Sequence, residues 1–163
     1  MATRVRLQPA ERRAQLLELG VELFSRRPYD DFSMDELAAR AGVSKGLLYH
    51  YWPTKKEFYV AALREATSRM LALVEPAPGL EPEASLRAGL DAYLGYVAEH
   101  AGAYRAVLRG GIGTDPDVLG VADDFRRAIY DRLVAVGGLV EAPPLVRTAV
   151  RSWIGMVEAA SLE

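Results

Sequence analysis

Residues 33–52 read SMDELAARAGVSKGLLYHYW, and this stretch decides the fold because it spells two short helices joined by a turn around one glycine. Ser33 and Glu36 have capping-box spacing, so the serine hydroxyl is expected to accept from the Glu36 amide while the glutamate reaches back to the Ser33 amide. A helix starting there carries Met34, Leu37, Ala38 and Ala41 as its apolar stripe and runs into Gly42, which can take the left-handed conformation without a Cβ penalty. Ser44 can cap a second helix, worth about 1 kcal/mol against alanine, leaving only Gly42 and Val43 as the connection. Two helices joined by so tight a turn fit the helix-turn-helix motif, whose second helix enters the major groove N-terminus first. Lys45 is cationic there, Gly46 allows close backbone approach, and Leu47 is expected to face outward where a thymine methyl could receive it. Leu48 is expected to point inward.

The longer run GVSKGLLYHYWPTKKEFY, residues 42–59, resembles the DNA-binding domain of the TetR family of ligand-responsive bacterial transcriptional regulators. The resemblance covers residues 8–62 well and the remainder only in outline. It implies an N-terminal DNA-binding domain over residues 1–54 and a helical effector-binding and dimerisation domain over residues 55–163. Ser33, Ser44, Lys45, Gly46 and Leu47 then fall among the DNA-contacting positions, and Tyr49, His50, Thr54 and Lys55 among those that hold phosphates. Physical chemistry supports the second group independently. Thr54 can cap a helix whose free amides and positive dipole end favour a phosphate, and Lys55 and Lys56 add charge there. Pro28 departs from the family's glycine at the end of the first helix. A proline disfavours helical geometry at Arg27, so the helix is expected to end at the same place by another route.

The 163 residues suffice for one or two small domains with a real core, since a chain of about this size buries roughly 68–70% of its unfolded surface. Cysteine is absent, which excludes a disulfide framework and a thiolate metal site and suits a reducing cytoplasm. No start resembling a signal peptide and no apolar run long enough for a membrane span is present, so a cytoplasmic location and no membrane partner are expected. The net charge of −2 hides an asymmetry. Residues 1–60 hold ten Lys or Arg against eight Asp or Glu, a balance of +2, whereas residues 61–163 hold ten against fourteen, a balance of −4. That supports a DNA-facing N-terminal part modestly, because solvated helix faces produce similar swings.

Ahead of the motif, Leu16, Leu23 and Phe24, with Gly20 between, mark one amphipathic helix. It is expected to close a three-helix core with Phe32, Val43, Leu48 and Trp52. A mid-helix glycine costs about 1 kcal/mol relative to alanine, which suggests close approach by another helix. After the motif, residues 55–74 read as a long connecting helix. PAPGLEPE breaks it, and a helix follows with Leu86, Leu90, Tyr93 and Val97 on one side. Another spans residues 101–109. RGGIGTDP breaks the pattern again, and although it invites comparison with a phosphate-cradling loop it lacks the GK[ST] ending and the preceding strand. Asp115 can then cap a helix with Pro116 at its first position, carrying the stripe Val118, Ala122, Phe125, Ile129, Leu133 and Val136. GGLVEAPP interrupts once more, and a last helix places Val146, Val150, Trp153, Val157 and Ala160 on a single face. The fold class expected is all-α. That last stripe runs to residue 163 with no cap or breaker, and the resemblance implies one further helix pairing across a two-fold axis. A chain truncated at its C-terminus is therefore expected, with a homodimer as the intact state.

The second half is rich in large side chains with polar tips. Aromatics at helical spacing are commonly ordinary core. Collectively, Tyr93, Tyr96, Tyr104, Phe125, Trp153 and Met156 could instead border a space for a small hydrophobic or aromatic effector, with Arg105 and Arg109 available to an anionic one. His50 and His100 lie fifty positions apart, so no multi-histidine metal site is expected, and no cofactor is implied. No paired carboxylates or nucleophile arrangement supports an enzyme. The function expected is a sequence-specific DNA-binding regulator, a repressor acting on double-stranded DNA with a palindromic or pseudo-palindromic operator, its operator affinity controlled by a small hydrophobic or aromatic effector. The alternative is a helical interaction module whose motif no longer binds DNA.

Overall fold

The structure is a computed structural model and describes residues 8–26, 29–102, 104–105 and 115–161. Among the described residues there are seven helices and no strand: α1 Pro9–Arg26, α2 Met34–Ala41, α3 Lys45–Tyr51, α4 Lys55–Leu73, α5 Pro82–Glu99, α6 Pro116–Val136 and α7 Pro144–Ala160. Residues 101–102 and 104–105 are also helical. The rest of the helix expected over residues 101–109, the break at residues 109–114 and the join at Arg27 and Pro28 lie outside the described residues. Among the described residues, no helix is long and apolar enough to cross a membrane.

Two cores organise the described residues. The first collects Leu16, Leu17, Leu23 and Phe24 of α1, Leu37 of α2, Leu48 of α3 and Phe58, Tyr59 and Ala62 of α4, with Phe32 and Trp52 from the connections. Val43 packs against it from the turn. Its aromatic centre mixes edge-on and stacked pairs, both of which ring quadrupoles allow: Phe24 meets Tyr59 edge-on at 4.5 Å, Trp52 meets Phe58 edge-on at 4.9 Å, and Phe32 lies nearly parallel to Phe58 with centroids 5.8 Å apart. The close approach expected at Gly20 is made by α4. A Cβ on Gly20 would stand 2.5 Å from Cζ of Phe58, a ring with no solvent exposure.

The second core gathers Met70 of α4, Tyr93 and Val97 of α5, Phe125 of α6, and Tyr104 from the short helical piece before α6. α4 and α6 belong to both cores, since Val118 and Val121 at the start of α6 pack into the first. At that end Lys56 of α4 pairs with Asp115 at 3.2 Å and with Asp117 at 2.8 Å. Asp115 also caps α6 by accepting from the Asp117 amide at 2.9 Å, with Pro116 in the first turn.

Three local expectations need correction. The Ser33 hydroxyl accepts from the Asp35 amide at 3.1 Å rather than from Glu36, so the cap bond is made one residue earlier. On α5 the buried positions are Ser85, Tyr93 and Val97, while Leu86 is exposed because the helix is turned to set it at the rim of a cavity. On α7 the buried residues are Ile154 and Glu158, not the expected stripe: Ala160 is exposed and Val146, Val150, Trp153 and Val157 are half-buried. A glutamate can lie inward there because Nε of Arg126 on α6 donates to both its oxygens, at 3.1 and 3.0 Å. A buried carboxylate requires such a partner.

Candidate nucleic-acid interface and effector cavity

The turn before α3 is built as the spacing requires. Gly42 adopts φ 63°, its amide bonds to Ala39 O at 3.2 Å and the Val43 amide to Ala38 O at 3.0 Å, which closes α2 within one residue. Ser44 then caps α3, its hydroxyl accepting from the Leu47 amide at 3.2 Å. With Leu48 wholly buried, the period of the helix turns Lys45, Gly46, Tyr49 and His50 to solvent. Leu47 is half-buried rather than fully outward. Thr54 caps α4 by accepting from the Glu57 amide at 3.1 Å, and it stands exposed beside the end of α3.

The lysines of this edge are already engaged. Lys45 meets Asp35 of α2 at 2.8 Å, and that hydrogen bond holds its ammonium above the usual lysine range. Lys55 donates to the Asp30 carbonyl at 3.3 Å with its ammonium 4.3 Å from the centre of the Tyr29 ring. Lys56 does not add charge to the same spot as expected, because Asp115 and Asp117 draw it toward α6. The spacing of residues 35 and 45 across a two-residue turn could have announced the first pair; the other two depend on tertiary packing.

A separate cavity of about 90 Å³ opens between α5, α6 and α7, with Val74 and Pro76 after α4 at its edge. Its wall is predominantly apolar, from Leu86, Leu90, Ile129, Leu133, Val136 and Ile154 among others. Of the six residues named from the sequence, Tyr93, Phe125 and Trp153 line it. Tyr104 is buried behind it, its hydroxyl bonded to that of Tyr93, and burial raises both phenols above their ordinary range. Tyr96 stacks on His100 outside the lining, and Met156 is 60% exposed. Arg105 is exposed and Arg109 lies outside the described residues; among the described residues the cation in the lining is Arg132. Arg132 sits three residues after Ile129 and one before Leu133, so its place on that face was readable from helical spacing. Ser85 and Glu158 had no such signal.

Residues 16–62 match the family described as bacterial regulatory proteins, tetR family, and residues 82–163 match the tetracyclin repressor-like C-terminal domain. The chain belongs to the TetR family. This TetR-family chain is 35% identical over 115 residues to the HTH-type transcriptional activator FasR of Mycolicibacterium smegmatis, covering 69% of this chain and 52% of that protein. It spans about half the length of the curated relatives it matches. A tetR-family transcriptional regulator from Streptomyces coelicolor superposes with a TM-score of 0.85 at 33% identity, over 96% of this chain and 71% of that one. The fold is shared more widely: FadR of Bacillus subtilis, solved in complex with stearoyl-CoA, superposes at a TM-score of 0.76 and 14% identity over 91% of this chain and 84% of its own.

Proposed function

We propose that this chain is the DNA-reading and sensing part of an effector-controlled transcriptional regulator, not an enzyme. The observation that carries the reading is α3 itself: Leu48 anchors its back in the first core while Lys45, Tyr49 and His50 stand outward along its front. In the major groove that front meets base edges, while Thr54 and the free amides starting α4 face the flanking phosphates. As a homodimer the protein would read two half-sites about 34–36 Å apart on one face of the duplex. A small hydrophobic or aromatic effector in the cavity would then alter the spacing of the two heads, and a coupling of about 1–3 kcal/mol changes DNA affinity about 5–150-fold.

The test is selection of bound fragments from the source genome with purified protein, followed by titration of the selected duplex. Tyr49→Phe and Lys55→Ala are expected to weaken binding to selected and random duplex alike. Lys45→Ala and Leu47→Ala are expected to change the ratio between them. The reverse pattern would remove α3 from the groove, and binding to neither duplex would sink the reading altogether. Repression is the expected sense of control; because the relative FasR is an activator by name, a reporter driven by the selected site is read in both directions.

A further inference from the structure

Among the described residues the cavity wall contains two charged residues, Glu158 and Arg132, and they are held differently. Glu158 is buried, and both its oxygens accept from Nε of Arg126, which is not part of the lining. Its charge is answered from behind the wall. Arg132 is half-buried; one arm of its guanidinium donates to the Leu71 carbonyl at the end of α4, and the other pairs with the Glu75 carboxylate just beyond that helix. The Glu75 side chain is 62% exposed against 27% for Arg132. The anion of this pair can therefore return to water at little cost, whereas the cation stays at the mouth of an apolar space with its fixed charge and forked donors. Glu75 occupies the place that a ligand's own carboxylate would take.

Resting on the reading of this cavity as an effector site, we propose that the effector is an apolar monoanion, a carboxylic acid with one ring or a short alkyl chain, whose carboxylate displaces Glu75 from Arg132. The apolar body lies against Phe125, Ile129, Leu133 and Trp153, and the head remains at the opening. At about 90 Å³ the space is smaller than the roughly 150 Å³ dry cavity that holds benzene, so it takes a short chain or part of one ring and leaves the remainder with the head in the open mouth. A neutral head leaves the Arg132–Glu75 pair in place and gains only the apolar burial. A cationic head meets the guanidinium and is repelled.

Two matched sets distinguish these cases: phenylacetate, 2-phenylethanol and 2-phenylethylamine, and hexanoate, hexanol and hexylamine, titrated at neutral pH by calorimetry and by the change in Trp153 fluorescence in a Trp52→Phe background. The acid of at least one set is expected to bind about tenfold tighter than its alcohol, as a charge-assisted hydrogen bond warrants, with the amine weakest. Arg132→Gln should bring acid and alcohol together without changing the alcohol's affinity, Arg132→Lys should restore part of the difference, and Glu75→Gln should tighten the acid. An acid no tighter than its alcohol, or an advantage that survives Arg132→Gln in a variant whose melting curve matches the parent, overturns the anionic head and leaves the effector cavity standing. Silence of all six compounds in the parent protein overturns the cavity reading and this inference together.

Discussion

At Gly20 a Cβ would meet a ring that cannot retreat, because Phe58 is enclosed by Phe24, Phe32 and Trp52. Alanine there gains about 1 kcal/mol of helix propensity, but overpacking a tight contact costs about 1–3 kcal/mol. Gly20→Ala is therefore expected to lower the urea midpoint, and an increase would show that α1 and α4 can separate freely. A second residue-level expectation concerns pH. Burial alone would raise the Asp115 carboxyl, but hydrogen bonds from Lys56 and from the amides of Asp117 and Val118 outweigh it and hold the group below its ordinary 3.8. A depressed carboxylate contributes stability that is complete above the unfolded value and lost as pH falls through the folded one. The bonds from Asp117 and Asp115 raise Lys56 above its ordinary 10.5, so its contribution is complete below that value and fades at higher pH. Asp115→Asn should thus flatten the stability profile below about pH 4 and leave its shape between pH 6 and 9 unchanged, as thermal melts across pH would record.

Among the elements, the α2–turn–α3 unit was the most legible in the sequence. Its capping serines, its left-handed glycine and its inward Leu48 obey local rules that hold whatever surrounds them. Gly42→Ala has open space for the methyl but keeps φ 63°, so a loss of about 1–2 kcal/mol is expected together with weaker operator binding, because that turn aims α3. Legibility declined along the chain as tertiary partners took over. Leu86 looked like core but stands at a rim, and Glu158, outside the expected stripe of its helix, is inward because the deciding group, Arg126, lies 32 positions away. The cavity was half readable for the same reason. Aromatic identity pointed to Tyr93, Phe125 and Trp153, yet only packing could separate them from Tyr104, which sits behind the wall, and from Met156, which faces water.

Across the whole molecule, the sharing of α4 and α6 by both cores means that neither core has a complete set of walls without the other. Denaturation is expected as one transition by circular dichroism and by Trp fluorescence. Phe58→Ala in the first core and Phe125→Ala in the second should each shift that single transition, by about 3–5 kcal/mol; two separated steps would show independent units. The contact between Lys45 and Asp35 has a different consequence. Docking on a duplex swaps one anionic neighbour for another, so the ammonium arrives already neutralised and contributes little to the counterion release that drives association. Binding should therefore depend on ionic strength less steeply than the tally of lysines at the groove implies, and Asp35→Asn should steepen the logarithmic slope by up to about 0.9.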